Sequence, residues 1–145
     1  MARKSGKKKI TYCVARTKEE LEQAFSLVYK EYANRRYIPK GYKSKLRLSL
    51  YNALPETTTI IAKKGKRVLA TVTLIPDSPM GLPMDKLYKR ELGVLRKRGR
   101  RISECSQLAI DSRIFPQGWF SLFNFCKLIF ILKLFKLVHD YARKI

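Results

Sequence analysis

Apolar residues follow two different periods along this chain, and each period predicts a different kind of element. Short runs rich in Thr, Ile and Val indicate strands at residues 10–14, 57–62 and 67–75. A basic turn that contains Gly65 separates the second run from the third and predicts an antiparallel hairpin. A fourth predicted strand, residues 102–110, alternates between two faces, one of which carries Ile102, Glu104, Ser106, Leu108 and Ile110.

Helical spacing predicts two helices between these strands. The first begins after Thr17, whose hydroxyl stands three residues before Glu20 and predicts a capping box. Its apolar positions recur every three or four residues, at Leu21, Ala24, Phe25, Val28 and Tyr32. The second helix covers residues 84–97. Between the first helix and the hairpin we expect a basic, tyrosine-rich loop with a short helix from Ser44.

A third helix is predicted at residues 120–141, which are almost continuously apolar. Three lysines interrupt this segment, and one near the centre of a membrane span costs about 2.5 to 3.5 kcal/mol. We therefore expect a buried or interfacial helix rather than a span. Its phenylalanines are predicted to line the core, at Phe120, Phe123, Phe125, Phe130 and Phe135.

Composition limits the classes of function. The 145 residues fit one domain, predicted at residues 10–145 after a flexible basic leader at 1–9. A net charge of +21 favours an acidic partner, which by charge alone is nucleic acid, an anionic membrane or an acidic protein. One histidine and three widely spaced cysteines predict no metal site and no disulfide framework, which fits a cytoplasmic protein.

Two segments together carry a resemblance to a known family. Residues 78–84 read S-P-M-G-L-P-M, and residues 104–109 read E-C-S-Q-L-A. Their combination resembles the N-acyl amino acid synthases, relatives of the acyl-homoserine-lactone synthases among the GNAT acyltransferases. The resemblance implies an α/β (α+β) fold with a mixed, mainly antiparallel sheet flanked by helices. Because the GNAT fold continues beyond its long helix, we expect this chain to lack the C-terminal part of that fold.

The family resemblance implies a reaction. A long-chain fatty acyl group would pass from the phosphopantetheine thioester of an acyl carrier protein to the amine of an amino acid, with no tightly bound cofactor. Such carriers are acidic, in agreement with the net charge. Only one glycine, Gly118, follows the predicted Glu104 strand closely, which disfavours coenzyme A as the sole donor.

The resemblance and the residues together assign candidate roles on the fourth strand. Glu104 is the candidate general base, and Ser106 would orient Glu104 or the thioester. The backbone of Leu108, Ala109 and Ile110 would bind the donor like an added strand. The simpler interpretation of Glu104 is an ion pair with one of the many basic residues.

The acceptor and the carrier have their own candidates. Tyr32, Arg36 and Asp77 would bind the amino acid, with Arg36 on its carboxylate and Asp77 on its ammonium group. Asp85 could share the ammonium group or complement the helix dipole instead. The basic run that contains Arg96, Arg98, Arg100 and Arg101 would dock the carrier protein, grip phosphates or lie solvated. Two other functions remain open at this stage: a small basic nucleic-acid-binding protein, and a protein at an anionic membrane surface.

Overall fold

The computed structural model describes residues 9–115 and 121–144, except for the side chains of residues 121–124. Its strands are β1 (Ile10–Val14), β2 (Thr58–Lys64), β3 (Arg67–Pro76) and β4 (Ser103–Ile110). They form one antiparallel sheet in the order β1-β2-β3-β4. The helices are α1 (Lys18–Asn34), α2 (Asp85–Lys97) and α3 (Ser121–Ala142).

The predicted order of elements is confirmed, with one exception in the long loop. The helix expected from Ser44 is absent from that position, and a short 3₁₀ helix occupies Leu50–Ala53 instead. Asn52 explains the later start, because its carboxamide oxygen accepts from both the backbone N–H and the hydroxyl of Ser49, at 2.8 and 2.9 Å. A second 3₁₀ turn, Ser112–Ile114, follows β4. The predicted leader lies almost entirely outside the described residues.

The sheet is covered by a helix on each face. On one face, Ile60, Val72 and Leu74 pack against Phe130, Leu134 and Val138 of α3. On the other face, Ile61 and Ala109 pack against Ala24, Leu27 and Val28 of α1. Both layers are apolar, as the Val- and Ile-rich strands of the hairpin predict. The face under α1 is the one that carries the candidate chemistry.

α3 corrects the prediction for its phenylalanines. Its sheet-facing stripe has a spacing of four residues, so Phe130 is buried whereas Phe125 is 59% exposed. Phe120 and the side chain of Phe123 lie outside the described residues. The exposed face carries a second apolar stripe, formed by Phe125, Leu128, Ile129 and Leu132. Among the described residues, no helix has the length and apolar character that crossing a membrane requires.

The predicted capping box fixes the start of α1. The backbone N–H of Glu20 donates to the Thr17 hydroxyl at 3.2 Å, and the Glu20 carboxylate accepts from the backbone N–H of Thr17 at 3.3 Å. Glu20 also forms an ion pair with Lys63 of β2. The cap therefore joins the helix start to the sheet as well as satisfying helix N–H groups.

Removing the cap hydroxyl should destabilise the fold measurably. We expect Thr17→Ala to lower the free energy of unfolding by about 1 kcal/mol, since an N-cap hydroxyl contributes roughly 0.5–2 kcal/mol. Thr17→Ser keeps the hydroxyl and should stay close to the parent. Urea unfolding followed by circular dichroism measures both. Equal losses in the two variants would contradict a role for the hydroxyl.

Candidate active site

An irregularity in β4 shapes the candidate site. Ser106 pairs with Thr73 and Ala109 pairs with Thr71, so Gln107 and Leu108 together oppose the single residue between them on β3. This is a β-bulge, and Gln107 adopts a positive φ of 53° within it. The predicted strict alternation is therefore wrong beyond Ser106. Ala109, rather than Leu108 or Ile110, shares the α1 face with Glu104.

A pair of side-chain amides, Gln107 and Asn52, supports the bulge. The Gln107 carboxamide donates to the Asn52 side-chain oxygen and accepts from the Asn52 amide nitrogen, both at 3.1 Å. The Thr73 hydroxyl donates to the same Gln107 oxygen at 3.0 Å. Gln107 is buried, and these bonds satisfy its carboxamide in place of water. Sequence reasoning gave Asn52 no role, because its partner lies 55 residues away.

Glu104 lies near the start of β4, opposite Ile75 of β3. One oxygen of its half-buried carboxylate, Oε2, accepts from the backbone N–H of Met84 at 2.7 Å. The other oxygen accepts no hydrogen bond from the described residues. The predicted alternative, an ion pair with a basic side chain, is not formed among those residues. The carboxylate is thus oriented by one neutral donor, and its other oxygen is left able to accept a proton.

A three-residue ion cluster, Asp77, Asp85 and Arg96, fixes the segment that holds Glu104. Arg96 donates through Nε and Nη2 to Asp77 at 2.6 and 2.8 Å, and through Nη1 and Nη2 to Asp85 at 2.6 Å each. Asp85 Oδ2 also accepts from the backbone N–H of Leu82 at 2.7 Å. Bidentate pairs of this kind hold side chains in one geometry. The cluster therefore braces the turn that presents Met84 to Glu104.

The glycine of that turn is required by its surroundings. Gly81 has a φ of +73°, and a Cβ atom on it would lie 2.7 Å from Oδ2 of Asp85. Any other residue would meet both the backbone strain and this contact. The central Gly of the S-P-M-G-L-P-M segment thus leaves the space that the Asp85 carboxylate occupies.

The same cluster determines the charge state of its carboxyl groups. The side-chain hydrogen bonds from Arg96, followed by the Leu82 backbone bond, lower the pKa of Asp85 to about 2. Hydrogen bonds from Arg96 also lower the pKa of Asp77. Both groups therefore stay ionised to a lower pH than an ordinary aspartate does. The guanidinium and the two carboxylates therefore stay paired across the physiological range.

The cluster predicts a pH dependence of stability. Because the pKa of Asp85 is lower in the folded state, its stabilisation is complete above about pH 4, the ordinary value, and is lost as the pH falls towards 2. Asp85→Asn should flatten that decline. Thermal unfolding between pH 5 and pH 2 measures it, with Glu91→Gln as the control for an exposed carboxylate on the same helix. A decline of unchanged steepness in Asp85→Asn would contradict the assignment.

The structure separates the three predicted acceptor residues. Asp77 is engaged by Arg96, so its carboxylate is already paired. Tyr32 lines a cavity of about 280 Å³ at the opposite end of β4, where burial raises the pKa of its hydroxyl. Arg36 lies beyond the end of α1 with a φ of 61° and borders a different cavity with Pro39 and Lys40. The described residues do not form the single acceptor pocket that sequence reasoning expected.

The predicted donor-binding residues lie together. Leu108, Ala109 and Ile110 line the same 280 Å³ cavity as Tyr32, at the edge of β4 away from β3. Asp111 donates its backbone N–H back to Leu69 of β3 at 2.8 Å. Since backbone groups alternate in direction along an antiparallel strand, those of Ala109 face β3 and those of Ile110 face the open edge. Ile110 is the better placed of these two for backbone contacts with a donor.

The predicted docking residues divide into two groups. Arg96 belongs to the ion cluster with Asp77 and Asp85, so its guanidinium is an internal brace rather than part of an open docking surface. Arg98 and Arg100 are exposed beyond the end of α2. Arg100 and Arg101 border a second, larger cavity beside Cys105 and Phe135.

Comparisons with known proteins identify the family. The family described as N-acyl amino acid synthase FeeM matches residues 23–144. The solved structure of FeeM, an N-acyl amino acid synthase from uncultured soil microbes, aligns with a TM-score of 0.75 and 24% sequence identity. That alignment covers 94% of this chain and 66% of the FeeM chain, so this chain spans just under two thirds of FeeM. Among curated proteins, none matches in sequence. The chain belongs to the FeeM family of N-acyl amino acid synthases and has the GNAT-like fold that its sequence motifs indicated.

Proposed function

We propose that this chain is an N-acyltransferase that joins a long-chain fatty acyl group to the amine of an amino acid. The donor is the phosphopantetheine thioester of an acyl carrier protein. The neutral amine nitrogen attacks the thioester carbonyl, an amide bond forms and the carbon–sulfur bond breaks. The carrier leaves as its thiol, with the proton that the nitrogen gives up as the amide forms. No metal or tightly bound cofactor takes part in this step.

The observation that carries the proposal is the position of Glu104. Its carboxylate is oriented by the Met84 N–H and keeps a second oxygen for a proton, which is what a general base requires. An ammonium group must lose a proton before it can attack, and Glu104 accepts that proton directly or through one water molecule. Ser106 lies two residues further along the same face and would orient the thioester or Glu104.

The bulge at Gln107 and Leu108 supports the proposal from the donor side. An extra residue in one strand leaves backbone groups outside the ladder, and such groups are suited to stabilise the oxyanion of a tetrahedral intermediate. The open edge at Ile110 then accepts the amide groups of the pantetheine arm, as an added strand would. The reacting carbonyl thus lies between Glu104 and the bulge.

The form of the donor is tested by comparison of two thioesters. The same acyl group, labelled with ¹³C, is offered on acyl carrier protein and on coenzyme A, with pooled amino acids as acceptors. We expect labelled N-acyl amino acid from the carrier thioester at the higher kcat/KM. A higher kcat/KM with the coenzyme A thioester would overturn the carrier assignment and leave N-acyl transfer in place.

Association with an anionic membrane surface is a second proposed property. The exposed stripe of Phe125, Leu128, Ile129 and Leu132 is bordered by the exposed Lys133 and followed one turn later by Lys136. Apolar residues beside lysines are typical of helices that lie in the interface of anionic lipid. Flotation with vesicles that contain phosphatidylserine tests this, and equal recovery with neutral vesicles would argue against the charge contribution. The family assignment favours the acyltransferase over the nucleic-acid-binding alternative.

A further inference from the structure

The C-terminal end of β4 carries a group of cations that the proposed chemistry does not use. Asp111 follows the strand with its carboxylate only 2% exposed, and Arg67 and Arg113 approach its Oδ2 at 2.6 and 2.8 Å. Those two arginine side chains are 55% and 66% exposed. Lys30 lies 3.6 Å from the same carboxylate. The Asp111 carboxylate and the Lys30 ammonium group are both buried, so the solvent meets the guanidinium groups of Arg67 and Arg113 here. The exposed Glu19 and Glu22 line the other side of the same groove.

The donor-side cavity opens beside these cations. Leu108 and Ile110 line it from β4, and Arg35 and Lys127 add two further basic side chains to its walls. The Glu31 carboxylate on its lining is buried and accepts from the backbone N–H and the hydroxyl of Ser112, at 3.1 and 3.2 Å. At the mouth of this cavity, the Glu31 carboxylate is therefore covered, whereas Lys127 is exposed.

The direction of the donor along β4 follows from the proposed function, on which this inference rests. A thioester carbonyl near Glu104 and an arm along Ile110 require the arm to run in the same direction as the chain of β4. At about 3.3 Å per residue, Asp111 lies roughly 23 Å beyond Glu104. The arm therefore leaves the sheet beside Asp111. Arg98 and Arg100 precede β4 and lie at the opposite end, behind the reacting carbonyl.

We propose that the acidic carrier protein docks on the surface formed by Arg67 and Arg113, beside the open cavity at the end of β4. The phosphate that joins the arm to the carrier lies on the same surface, where guanidinium groups suit phosphate and carboxylate alike. The carrier does not dock on Arg98, Arg100 and Arg101, as the basic run in the sequence suggested. That run faces the end of the strand from which no arm emerges.

Three charge variants test this docking surface through binding of a fluorescently labelled acyl carrier protein, measured by anisotropy. The first combines Arg67→Gln and Arg113→Gln with Asp111→Asn, so that no buried carboxylate is left unpaired. The second, Arg98→Gln with Arg100→Gln, tests the rival surface. The third, Lys86→Gln with Arg90→Gln, is the control on the exposed side of α2. The first variant loses one net positive charge, and each of the others loses two. A general effect of net charge would therefore weaken carrier binding more in the second and third variants, which is the opposite of the expected result.

We expect the Kd for the carrier to rise about tenfold or more in the first variant and to change less than about twofold in the other two. A larger rise in the second variant than in the first would overturn the proposal. Thermal unfolding identifies a variant that fails to fold. In that case, carbodiimide cross-linking of the parent chain to the carrier decides: cross-links at Lys66 or Lys127 support the proposal, and cross-links at Lys97 contradict it.

Failure of the docking surface is distinguishable from failure of the proposed function. A parent chain that forms N-acyl amino acid from a simple acyl-pantetheine thioester but does not bind the carrier would overturn the docking proposal and retain N-acyl transfer. A parent chain that binds the carrier through Arg67 and Arg113 but transfers from neither donor would retain the docking surface and overturn the proposed function.

Discussion

Glu104→Gln should lower the rate of N-acyl transfer by about 10²–10⁴-fold, because positioned general bases typically contribute that much. Glutamine has nearly the same shape, and its side-chain oxygen can still accept from the Met84 N–H, so the fold should be retained. Its amide cannot take the proton of the attacking ammonium group. We therefore expect kcat to fall while the KM for the acyl donor changes little. Steady-state assays of thiol release over a range of pH measure both constants.

The control for this variant is Glu91→Gln, which removes an exposed carboxylate from α2 with the same change of charge. It should keep the parent rate. A high pH should partly restore the Glu104→Gln variant, since more of the acceptor amine is then already neutral. Full activity of Glu104→Gln at neutral pH would show that another group removes the proton, and the role assigned to Glu104 would be wrong.

Arg96→Gln should lower the transfer rate by about 10- to 100-fold, although Arg96 touches no reacting atom in the proposed mechanism. The loss follows from geometry: without the guanidinium, Asp77 and Asp85 repel each other and the turn that carries Met84 N–H is no longer fixed. A misplacement of about 1 Å can cost a factor of roughly 10² in rate. Arg96 is thus a positioning residue for Glu104.

Arg96→Lys distinguishes positioning from charge alone. Lysine keeps the positive charge but cannot form two bidentate pairs, so we expect it to restore only part of the rate. A purely structural role would lower the amount of folded protein and leave the pH profile of the remaining activity unchanged. A positioning role should alter that profile, because the environment of Glu104 changes. Arg90→Gln, on the exposed side of the same helix, serves as the control for loss of one arginine.

The elements of this fold follow from local patterns, and local patterns are what a sequence displays. The Val- and Ile-rich hairpin and the capping box at Thr17 and Glu20 each depend on residues within a few positions of one another. The bulge at Gln107 does not follow from such a local pattern. Its positive φ is held by Asn52 and Thr73, and a glutamine carries no local sign of such a backbone.

In the candidate site, too, some residues could be predicted from local sequence motifs and others could not. Glu104 was found through the family motif and lies on the predicted face. Asp77 and Arg96 were assigned to different ligands, because nothing in a sequence states that two charges nineteen residues apart will form a bidentate pair. Arg67 received no role, since the antiparallel packing of β3 against β4 is what brings it to the Asp111 carboxylate, 44 residues away, which the sequence neighbour Arg113 also contacts.

The most direct test of the proposed function is the mass of the product. The chain is incubated with an acyl carrier protein that bears a long-chain acyl group and with pooled amino acids, and the mixture is analysed by mass spectrometry. We expect an N-acyl amino acid and free carrier thiol in equal amounts. A folded chain that leaves the thioester intact, or releases only the free fatty acid, would contradict it.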